Sequence, residues 1–376
     1  MHHHLHQIAR RLFFTILFFG FSLSAQTADF AGQISGSAYV NDLSADETMI
    51  GVRYIPDLSL QKNISDDFNI DTEFSLNMYS THRFDFSNYE NDVKPYRLWF
   101  RLATSQFQVR IGLQKINFGS AMLLRPLMWF DRIDPRDPLQ ITDGVYAVLL
   151  RYYFLNNTNI WLWGVYGQDR TKGLEAIPTK KNSGEYGGRV QVPFMNGEIA
   201  ASYHHRNINP GAAIFPLVHS DPGSHPENRY AVDGKWDIGV GFWFEYVWLH
   251  QDIHWQNFRN RKLLNIGMDY TFALGNGVHA LSEFFVYDAK ATMKISALLL
   301  DYNLGLLDQI MAIVYFDWEN HDFYRFATWR RTLDKWSFNL SFFWNPGQNN
   351  LYKLYSKDMT NQFSGKGIQF LVVFNY

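Results

Sequence analysis

Apolar and polar side chains alternate with a period of two along much of this chain. Between Gln106 and Gln114 every odd-numbered residue is apolar, and every even-numbered residue is polar or glycine. Similar alternation occurs in Ile70–Met78, Arg97–Ala103, Asn265–Phe272 and Ser337–Trp344. Successive side chains of a β-strand point to opposite faces, so this period predicts strands with one wet face and one apolar face.

The connections between the alternating stretches are short and long in turn. Short connections are predicted at Asn63–Asp66, Thr104–Ser105, Asn156–Asn157, Met195–Gly197, Asp233–Asp237, Leu274–Gly277, Gly305–Leu307 and Thr332–Lys335. Longer ones are predicted at Asn41–Asp46, Thr81–Pro95, Asn117–Asp143, Gln168–Gly184, Asn207–Asn228, Gln251–Asn260, Asp288–Ala291, Trp318–Asp322 and Pro346–Gly365. This order gives about 18 strands, with 16 as the alternative because Glu227–Trp236 is weakly patterned. Short turns lie in the periplasm in outer-membrane barrels, which places both termini there.

Aromatic residues are unusually frequent, at 17% of the chain. They cluster near the ends of the alternating stretches, at Tyr152–Phe154, Trp161 with Trp163, Phe242–Trp248 and Phe342–Trp344. Membrane barrels carry such aromatic girdles at both interfaces. A soluble sandwich would also alternate, but the long charged groups and glycines on the polar faces suit a water-filled lumen. We therefore predict an all-β fold, a transmembrane antiparallel β-barrel.

The first 25 residues have the organisation of a secretory signal peptide. Arg10 and Arg11 precede the apolar stretch Leu12–Leu23, which is too short to span a bilayer as a helix, and Ser22–Ala25 supplies small residues for cleavage. We predict a signal peptide over residues 1–25 and a single barrel domain over residues 26–376. The chain has no cysteine, which excludes disulfides and thiolate metal sites, and its net charge of -2 does not indicate nucleic-acid binding. We expect no cofactor.

The last alternating stretch, Gly367–Tyr376, ends the chain on an aromatic residue. In this feature the chain resembles the bacterial outer-membrane β-barrel proteins, whose last strand closes on an aromatic residue and is read by the barrel-assembly machinery. The resemblance implies a multi-pass barrel in the outer membrane of a Gram-negative bacterium. The implied partners are outer-membrane lipid, the assembly machinery at the strand ending with Tyr376, small solutes and possible further copies of the chain.

One long connection, Asn117–Asp143, differs from the others in composition. It lies within the segment NFGSAMLLRPLMWFDRIDPRDPLQITDG, whose run Leu123–Phe130 is too apolar for a solvated loop. In the strand count it is the third external loop. It resembles the third loop of the general porins, which folds into the lumen and forms the constriction. Its amino-acid sequence is also similar to that of uncharacterised porin-like outer-membrane proteins. The resemblance implies a loop folded into the lumen.

Charged residues of this loop and of the neighbouring strands form the candidate pore-lining site. A two-residue turn at Thr104–Ser105 would pair Ala103 with Gln106, Arg101 with Gln108, and Trp99 with Arg110. The candidate wall residues are then Arg97, Arg101, Arg110 and Arg151, with Asp71 and Glu73 on the preceding strand; the loop residues are Arg125, Asp131, Arg132, Asp134, Arg136 and Asp137. Rings of charge in a pore set which ions pass. Alternatively, the wall arginines pair with the loop aspartates and hold the loop down.

Three functions fit this sequence. The first is a porin-like channel for passive diffusion of small polar or anionic solutes. The second is a barrel closed by its internal loop that acts as a receptor, scaffold or secretion partner, and the third is a barrel enzyme. No Ser/His/Asp grouping has a defensible spacing, so we expect no enzyme. His204–His205 with Glu198, or His279 with Glu283, could suggest a metal, but residues i and i+4 of a strand lie roughly 13 Å apart. We therefore expect no metal site.

Overall fold

The structure is a computed structural model that describes residues 27–41, 48–83, 89–168, 170–212, 223–253, 259–289, 292–346, 363 and 365–376. The predicted signal peptide lies outside the described residues. The strands are β1 (Thr27–Asn41), β2 (Met49–Ser65), β3 (Phe68–Arg83), β4 (Tyr89–Ala103), β5 (Phe107–Gln114), β6 (Val145–Tyr153), β7 (Asn159–Tyr166), β8 (Gly184–Phe194), β9 (Gly197–Ile208), β10 (His225–Asp237), β11 (Gly241–Gln251), β12 (Asn260–Phe272), β13 (Val278–Asp288), β14 (Thr292–Asn303), β15 (Asp308–Asp317), β16 (Asp322–Thr332), β17 (Trp336–Trp344) and β18 (Lys366–Asn375). A 3-10 turn occupies Pro210–Ala212.

The strands form one closed antiparallel barrel. Each strand pairs with the next one in sequence, and β18 pairs with β1, for example through Ser35 and Val373. Closure satisfies the backbone hydrogen bonds of every strand without leaving an edge, which is what a sheet inside a bilayer requires. The predicted all-β class and the count of 18 strands are confirmed. Within the part of the chain that the structure describes, no helix is long and apolar enough to cross a membrane.

The structure corrects three predicted boundaries. Glu227–Trp236 lies inside β10, so the proposed 16-strand alternative is wrong, and the turn predicted at Asp233–Asp237 lies at residues 238–240. The alternation in β10 was weak because Asn228 faces outward and Ala231 faces inward. The loop predicted at Thr81–Pro95 is shorter, since β4 already begins at Tyr89.

The turn between β4 and β5 also differs from the prediction. Ala103 pairs with Gln108, Arg101 with Arg110, and Trp99 with Gly112. The turn residues are Ser105 and Gln106, because the Thr104 backbone amide donates to the Phe107 carbonyl at 2.7 Å and the Thr104 hydroxyl accepts from the Phe107 amide at 3.0 Å. The pairing moves by two residues, so every side chain keeps its predicted face. The shift places the two arginines directly opposite each other.

The two faces of the wall differ in exposure and chemistry. Residues such as Ile111, Leu162 and Phe370 are exposed on the outer face, while their sequence neighbours are mostly buried or half-buried on the inner face. An apolar outer belt over a closed sheet is what contact with lipid requires. Several aromatic residues assigned to the girdles belong instead to the inner face, because they occupy the opposite phase of the alternation: Trp161, Trp163, Trp243 and Phe343.

The largest apolar core joins a loop to the inner face. It combines residues of the segment Ile116–Phe130 with buried side chains of β6, β7 and β10–β17, among them Leu149, Trp243 and Tyr324. Phe118 stacks on Trp163 with ring centroids 5.5 Å apart. The apolar run of the loop therefore has protein partners, as its composition required.

Candidate pore-lining site

Glu245 of β11 anchors the start of the Asn117–Asp143 loop. One of its carboxylate oxygens accepts from the backbone amides of Ser120 at 2.6 Å and Ala121 at 2.7 Å, and the other accepts from Leu127 at 3.2 Å. Gly119 brings the chain this close to the carboxylate: its φ is +94°, and a Cβ would lie 2.4 Å from a Glu245 oxygen. A buried carboxylate is stable when hydrogen bonds surround it, so this contact fixes the backbone of the loop.

Glu283 of β13 anchors the next three residues in the same way. Its oxygens accept from the amides of Met122 at 2.6 Å, Leu123 at 3.2 Å and Leu124 at 2.7 Å. Asn265 of β12 completes the contact, since its side-chain amide donates to Glu283 at 3.1 Å and to the Leu124 carbonyl at 2.8 Å. Sequence reasoning did not predict either glutamate as an anchor of the loop, although Glu283 was considered there as a metal ligand. Their signal was a single acid on the inward phase of an otherwise apolar strand, in FWFEYVW and LSEFFVY.

The charged residues of the loop bind mainly to groups of the loop itself and of the next long connection. Arg125 pairs with Asp131 at 2.9 Å, and Arg136 pairs with Asp134 at 2.6 Å. Arg132 donates to the Gly173 carbonyl of the next long connection at 3.1 and 3.2 Å, while Asp137 accepts from the Leu139 amide at 2.9 Å. The alternative in which the wall arginines pair with the loop aspartates is therefore wrong for Asp131 and Asp134, because Arg125 and Arg136 of the loop itself are their partners.

Two of the predicted wall arginines are fixed by hydrogen bonds. Arg97 is buried, donates to the Tyr96 carbonyl at 2.5 Å and to the Thr142 carbonyl at 3.2 Å, and so ties β4 to the end of the loop. Arg101 donates twice to Asp71 of β3, at 2.7 and 2.9 Å. The only ion pair of the predicted wall arginines among the described residues is thus made within the wall.

The other two wall arginines lie on tryptophan rings. The Arg110 guanidinium is 4.5 Å from the centroid of Trp99, and that of Arg151 is 3.8 Å from the centroid of Trp161. Both side chains are half-buried, and neither forms an ion pair with a residue that the structure describes. Arg110 faces Arg101 across the strand pair, and Gln108 faces Arg151. We call Arg101, Arg110 and Arg151 with their two tryptophans the arginine patch.

A second cluster of charge lies on β8–β12 and was not predicted. Arg206 pairs with Glu227 at 2.6 Å, and Arg229 pairs with Glu175 at 2.7 Å. Lys172 pairs with Glu185 at 2.7 Å. All six side chains are buried, and together with Arg261 they form what we call the buried network. Lys172 and Glu175 belong to the connection between β7 and β8, so the network holds this connection against the wall.

The histidines considered as metal ligands have other contacts. His204 is fully buried, with one ring nitrogen 3.1 Å from Glu185 and the other accepting from the Trp163 indole at 3.1 Å. His279 lies 3.2 Å from Asp269 rather than beside Glu283. In the described portion of the chain, no group of three or more His, Asp or Glu side chains could hold a metal ion.

These features define a class: an outer-membrane-type β-barrel with a wall of 18 strands, an apolar outer belt and a charged inner face. The architecture supports the predicted location, the bacterial outer membrane. Two solved structures share the fold. Pseudomonas aeruginosa OccD3 (OpdP) matches with a TM-score of 0.59 and 9% identity, covering 94% of this chain and 92% of that one. OmpTdeltaL8, a loop L8 deletion mutant of OmpT, an outer membrane protein of Vibrio cholerae, matches with a TM-score of 0.51 and 10% identity over 93% and 99% of the two chains.

No protein-family model matches this chain, and no curated protein matches it. At the identities found, the two structures show the fold alone. They agree with the predicted resemblance to porin-like outer-membrane barrels at the level of architecture.

Proposed function

We propose that this protein is an outer-membrane channel through which small polar solutes, and anions above all, diffuse passively. The observation that carries the proposal is the state of Arg110 and Arg151, which lie on the inner face without an ion pair to any described residue. A cation that is neither paired nor exposed to an aqueous path is costly. The patch therefore favours a lumen that contains water and counter-ions.

The neutral groups beside the patch add hydrogen-bond donors. Gln108, Arg151 and Trp161 are neighbours in register across β5, β6 and β7. Among the described residues, the Gln108 side-chain nitrogen and the Trp161 indole nitrogen have no hydrogen-bond acceptor. Asp71 is occupied by Arg101, and Glu73 lies opposite Trp99. A surface dominated by donors and positive charge suits carboxylate or phosphate groups.

We further propose that Asn117–Asp143 fills part of the interior and narrows the path beside the arginine patch. Support comes from its six backbone amides on Glu245 and Glu283 and from its apolar packing. The backbone amides of the loop bind to Glu245 and Glu283 on β11 and β13, while its Phe118 ring lies 6.3 Å from the ring of Trp161 in the patch, which spans β4–β7. Transport of this kind needs no covalent chemistry, and we propose no enzymatic activity.

The test is ion selectivity in planar bilayers. The sign of the lining charge decides which ion enters, so the double variant Arg110→Glu with Arg151→Glu should move the reversal potential in a salt gradient toward cation preference. The charge-preserving pair Arg110→Lys with Arg151→Lys should retain anion preference. Lys181→Glu, on an exposed part of an external loop, is the control for a general change of charge. An unchanged reversal potential in folded, inserted protein of the double Glu variant would remove the patch from the conducting path.

A second function is favoured by one specific observation, the extent of the apolar core around Ile116–Phe130. A core that closes the interior would make the barrel a receptor, scaffold or secretion partner. Deleting Leu124–Pro135 separates the two proposals. If the wild type conducts and the deletion raises its conductance, the loop is a constriction. If the wild type is silent and the deletion opens a pore, the loop is a plug, and the second function replaces the first.

A further inference from the structure

The outer face of the barrel carries a repeated hydrogen-bonded unit near the ends of β9–β12 that face the long connections. In the first unit, the Tyr203 hydroxyl donates to the Asn228 side-chain oxygen at 2.8 Å, and the His205 Nδ1 lies 2.9 Å from the same oxygen. Both tyrosine and histidine alternate with fully buried residues such as Arg206, so they face outward.

The second unit repeats the first one on the next strand pair. The Trp248 indole donates to the Asn260 side-chain oxygen at 3.3 Å, and the His250 Nδ1 lies 2.8 Å from that oxygen. The register is the same as well, because His205 pairs with Asn228 and His250 pairs with Asn260. Each unit thus consists of an aromatic residue, a histidine two residues later and an asparagine on the following strand. We call the two units together the outer stripe.

Tyr230 joins the two units into one surface. Its ring centroid lies 5.3 Å from that of Tyr203 and 5.3 Å from that of Trp248. In the second unit the position equivalent to Tyr230 is Lys262, which pairs in register with Trp248. The stripe therefore offers a row of aromatic faces that ends in a cation, with Asp288 as the neighbour of Lys262 on β13.

The hydrogen bonds within each unit decide which atoms remain for a ligand. An asparagine side-chain oxygen only accepts, so each histidine must carry its proton on Nδ1. In the Nδ1-protonated tautomer Nε2 is an acceptor, and the asparagine nitrogen retains donors. Among the described residues, neither the Nε2 atoms of the two histidines nor the side-chain nitrogens of the two asparagines have a hydrogen-bond partner. Acceptors, donors and flat aromatic faces in one row match the hydroxyls and ring of a sugar, and Lys262 matches a phosphate.

The opposite rim shows what a simple interfacial belt looks like in this protein. Its aromatic pairs include Tyr152 with Phe154 at 4.7 Å, Tyr270 with Phe272 at 4.9 Å and Trp336 with Phe374 at 4.7 Å. No histidine or asparagine bonds to these rings among the residues described. Aromatic residues alone suffice to hold a barrel at the membrane interface. The additional polar groups of the outer stripe are therefore not explained by anchoring.

We propose that the outer stripe binds the phosphorylated sugar headgroup of a glycolipid in the outer leaflet. The stripe faces lipid rather than the lumen, and it lies at the end of the barrel with the long connections, where headgroups of that leaflet reside. Aromatic faces stack on the sugar, the His and Asn atoms bond its hydroxyls, and Lys262 contacts the phosphate. Binding at this place does not depend on whether the barrel conducts.

The experiment measures lipid binding to the full-length barrel in detergent by native mass spectrometry. The probes are a bisphosphorylated diglucosamine lipid, the same lipid without phosphate, and phosphatidylglycerol, which has phosphate but no sugar. We expect the wild type to bind the bisphosphorylated lipid at least tenfold more tightly than phosphatidylglycerol. The double variant His205→Phe with His250→Phe keeps ring area but loses Nε2, and it should lose this preference. Lys262→Gln should weaken binding of the bisphosphorylated diglucosamine lipid and should leave binding of the same lipid without phosphate unchanged.

Matched controls use the opposite rim, where Tyr270→Leu and Phe272→Leu should leave the preference unchanged within twofold. Asn228→Leu with Asn260→Leu is the second variant if the histidine pair fails to fold. Equal binding of phosphatidylglycerol and the bisphosphorylated lipid by the wild type would overturn the proposal and reduce the stripe to an aromatic belt. Retention of the preference by both folded double variants would overturn it too, since the headgroup would then bind elsewhere.

Discussion

Two regions of the inner wall carry clusters of arginine, and they treat positive charge in opposite ways. In the buried network on β8–β12, Arg206 and Arg229 both contact Glu227, at 2.6 and 2.7 Å. In the arginine patch on β4–β7, Arg110 and Arg151 contact tryptophan rings instead of carboxylates. In the first arrangement arginine stabilises the fold, while in the second its charge remains available to a solute.

The difference follows from the cost of removing charge from water. The side chains of Arg206 and Glu227 are both 0% exposed, and an ion in such a place needs a partner with good geometry. Arg110 and Arg151 remain half-exposed, so water or a passing anion can take the place of a partner. A cluster of arginines therefore indicates a function in transport only where its arginines have no carboxylate partner.

The largest expected effect comes from breaking the network at Glu227. This carboxylate contacts Arg206, Arg229 and the Gln251 side-chain amide. Glu227→Ala would leave buried guanidinium groups without their partner, which costs about 3–5 kcal/mol. We expect a lower midpoint of urea unfolding in lipid vesicles, followed by tryptophan fluorescence. Glu198→Ala is the control: this half-buried residue near the start of β9 accepts a hydrogen bond from the neutral Gln191 side chain, so its loss should change the midpoint little. A Glu227→Ala midpoint equal to that of the control would contradict the assigned role.

The second effect is a pH dependence at Glu175. Burial alone would raise the pKa of the Glu175 carboxyl, but Arg206, Lys172 and Arg229 lower it below its ordinary value. A lowered pKa in the folded state means that the carboxylate stabilises the fold above its unfolded pKa, about 4.3. This stabilisation is lost as the pH falls through the lowered folded pKa. Glu175→Gln should thus cost about 2 kcal/mol near neutral pH, since hydrogen bonds to charged groups contribute about 1.5–3 kcal/mol.

The measurement for Glu175 is the unfolding midpoint of the two proteins from pH 8 to pH 3. The gap between wild type and Glu175→Gln should be constant near neutral pH and should narrow only at pH values below about 4.3. A gap that already narrows between pH 7 and pH 5 would mean that Glu175 titrates in the wrong direction for this network.

Much of the fold could be predicted from the sequence because each strand of a membrane barrel alternates apolar and polar residues with a period of two. Ile111 and Gln108 could be assigned to opposite faces from alternation alone, and the lengths of the connections gave the number of strands. Turn positions were harder. The β4–β5 turn depends on a hydrogen bond between Thr104 and Phe107, which no period reports. An aromatic residue such as Trp243 was misassigned because aromatic character suits both an interface and an apolar interior.

The candidate site was less predictable because pairing is a property of the folded chain. The sequence indicated Arg101 and Arg110 as neighbours, but not that Asp71 occupies only the first. Nor could it bring Glu245 to the loop, since Ser120 is 125 residues away in the chain. Lone acids on the inward phase of apolar strands were visible in the sequence. They are worth examining in other barrels as anchors of internal loops.

A smaller effect is expected at Gly173, where the connection between β7 and β8 contacts the Asn117–Asp143 loop. Its φ is +45°, and an added Cβ would lie 1.6 Å from the Met128 carbonyl oxygen. Gly173→Ala should cost about 1–2 kcal/mol from backbone conformation and should also displace the connection. Trypsin cleavage after the exposed Lys180 should become faster. Gly184→Ala is the matched control, because a Cβ there meets no atom within 4 Å. Equal cleavage of the two variants would show that this contact does not hold the connection.

The smallest effect on stability, and the sharpest test of the comparison, is expected at Arg151. Arg151→Gln removes a cation–π contact of a half-exposed group, which contributes about 0.5–1 kcal/mol. Arg189→Gln is its counterpart in a paired setting, since Arg189 is buried on β8 and contacts Asp233 at 2.6 and 2.7 Å. We expect Arg189→Gln to lower the unfolding midpoint by several times as much as Arg151→Gln. In bilayers the order should reverse, with Arg151→Gln reducing anion preference more than Arg189→Gln. Because Gln is uncharged in both variants, the contrast isolates whether the charge faces a solute or a carboxylate. If Arg151→Gln destabilised the barrel as strongly as Arg189→Gln and left ion preference unchanged, the arginine patch would be a second structural cluster rather than the lining of a path.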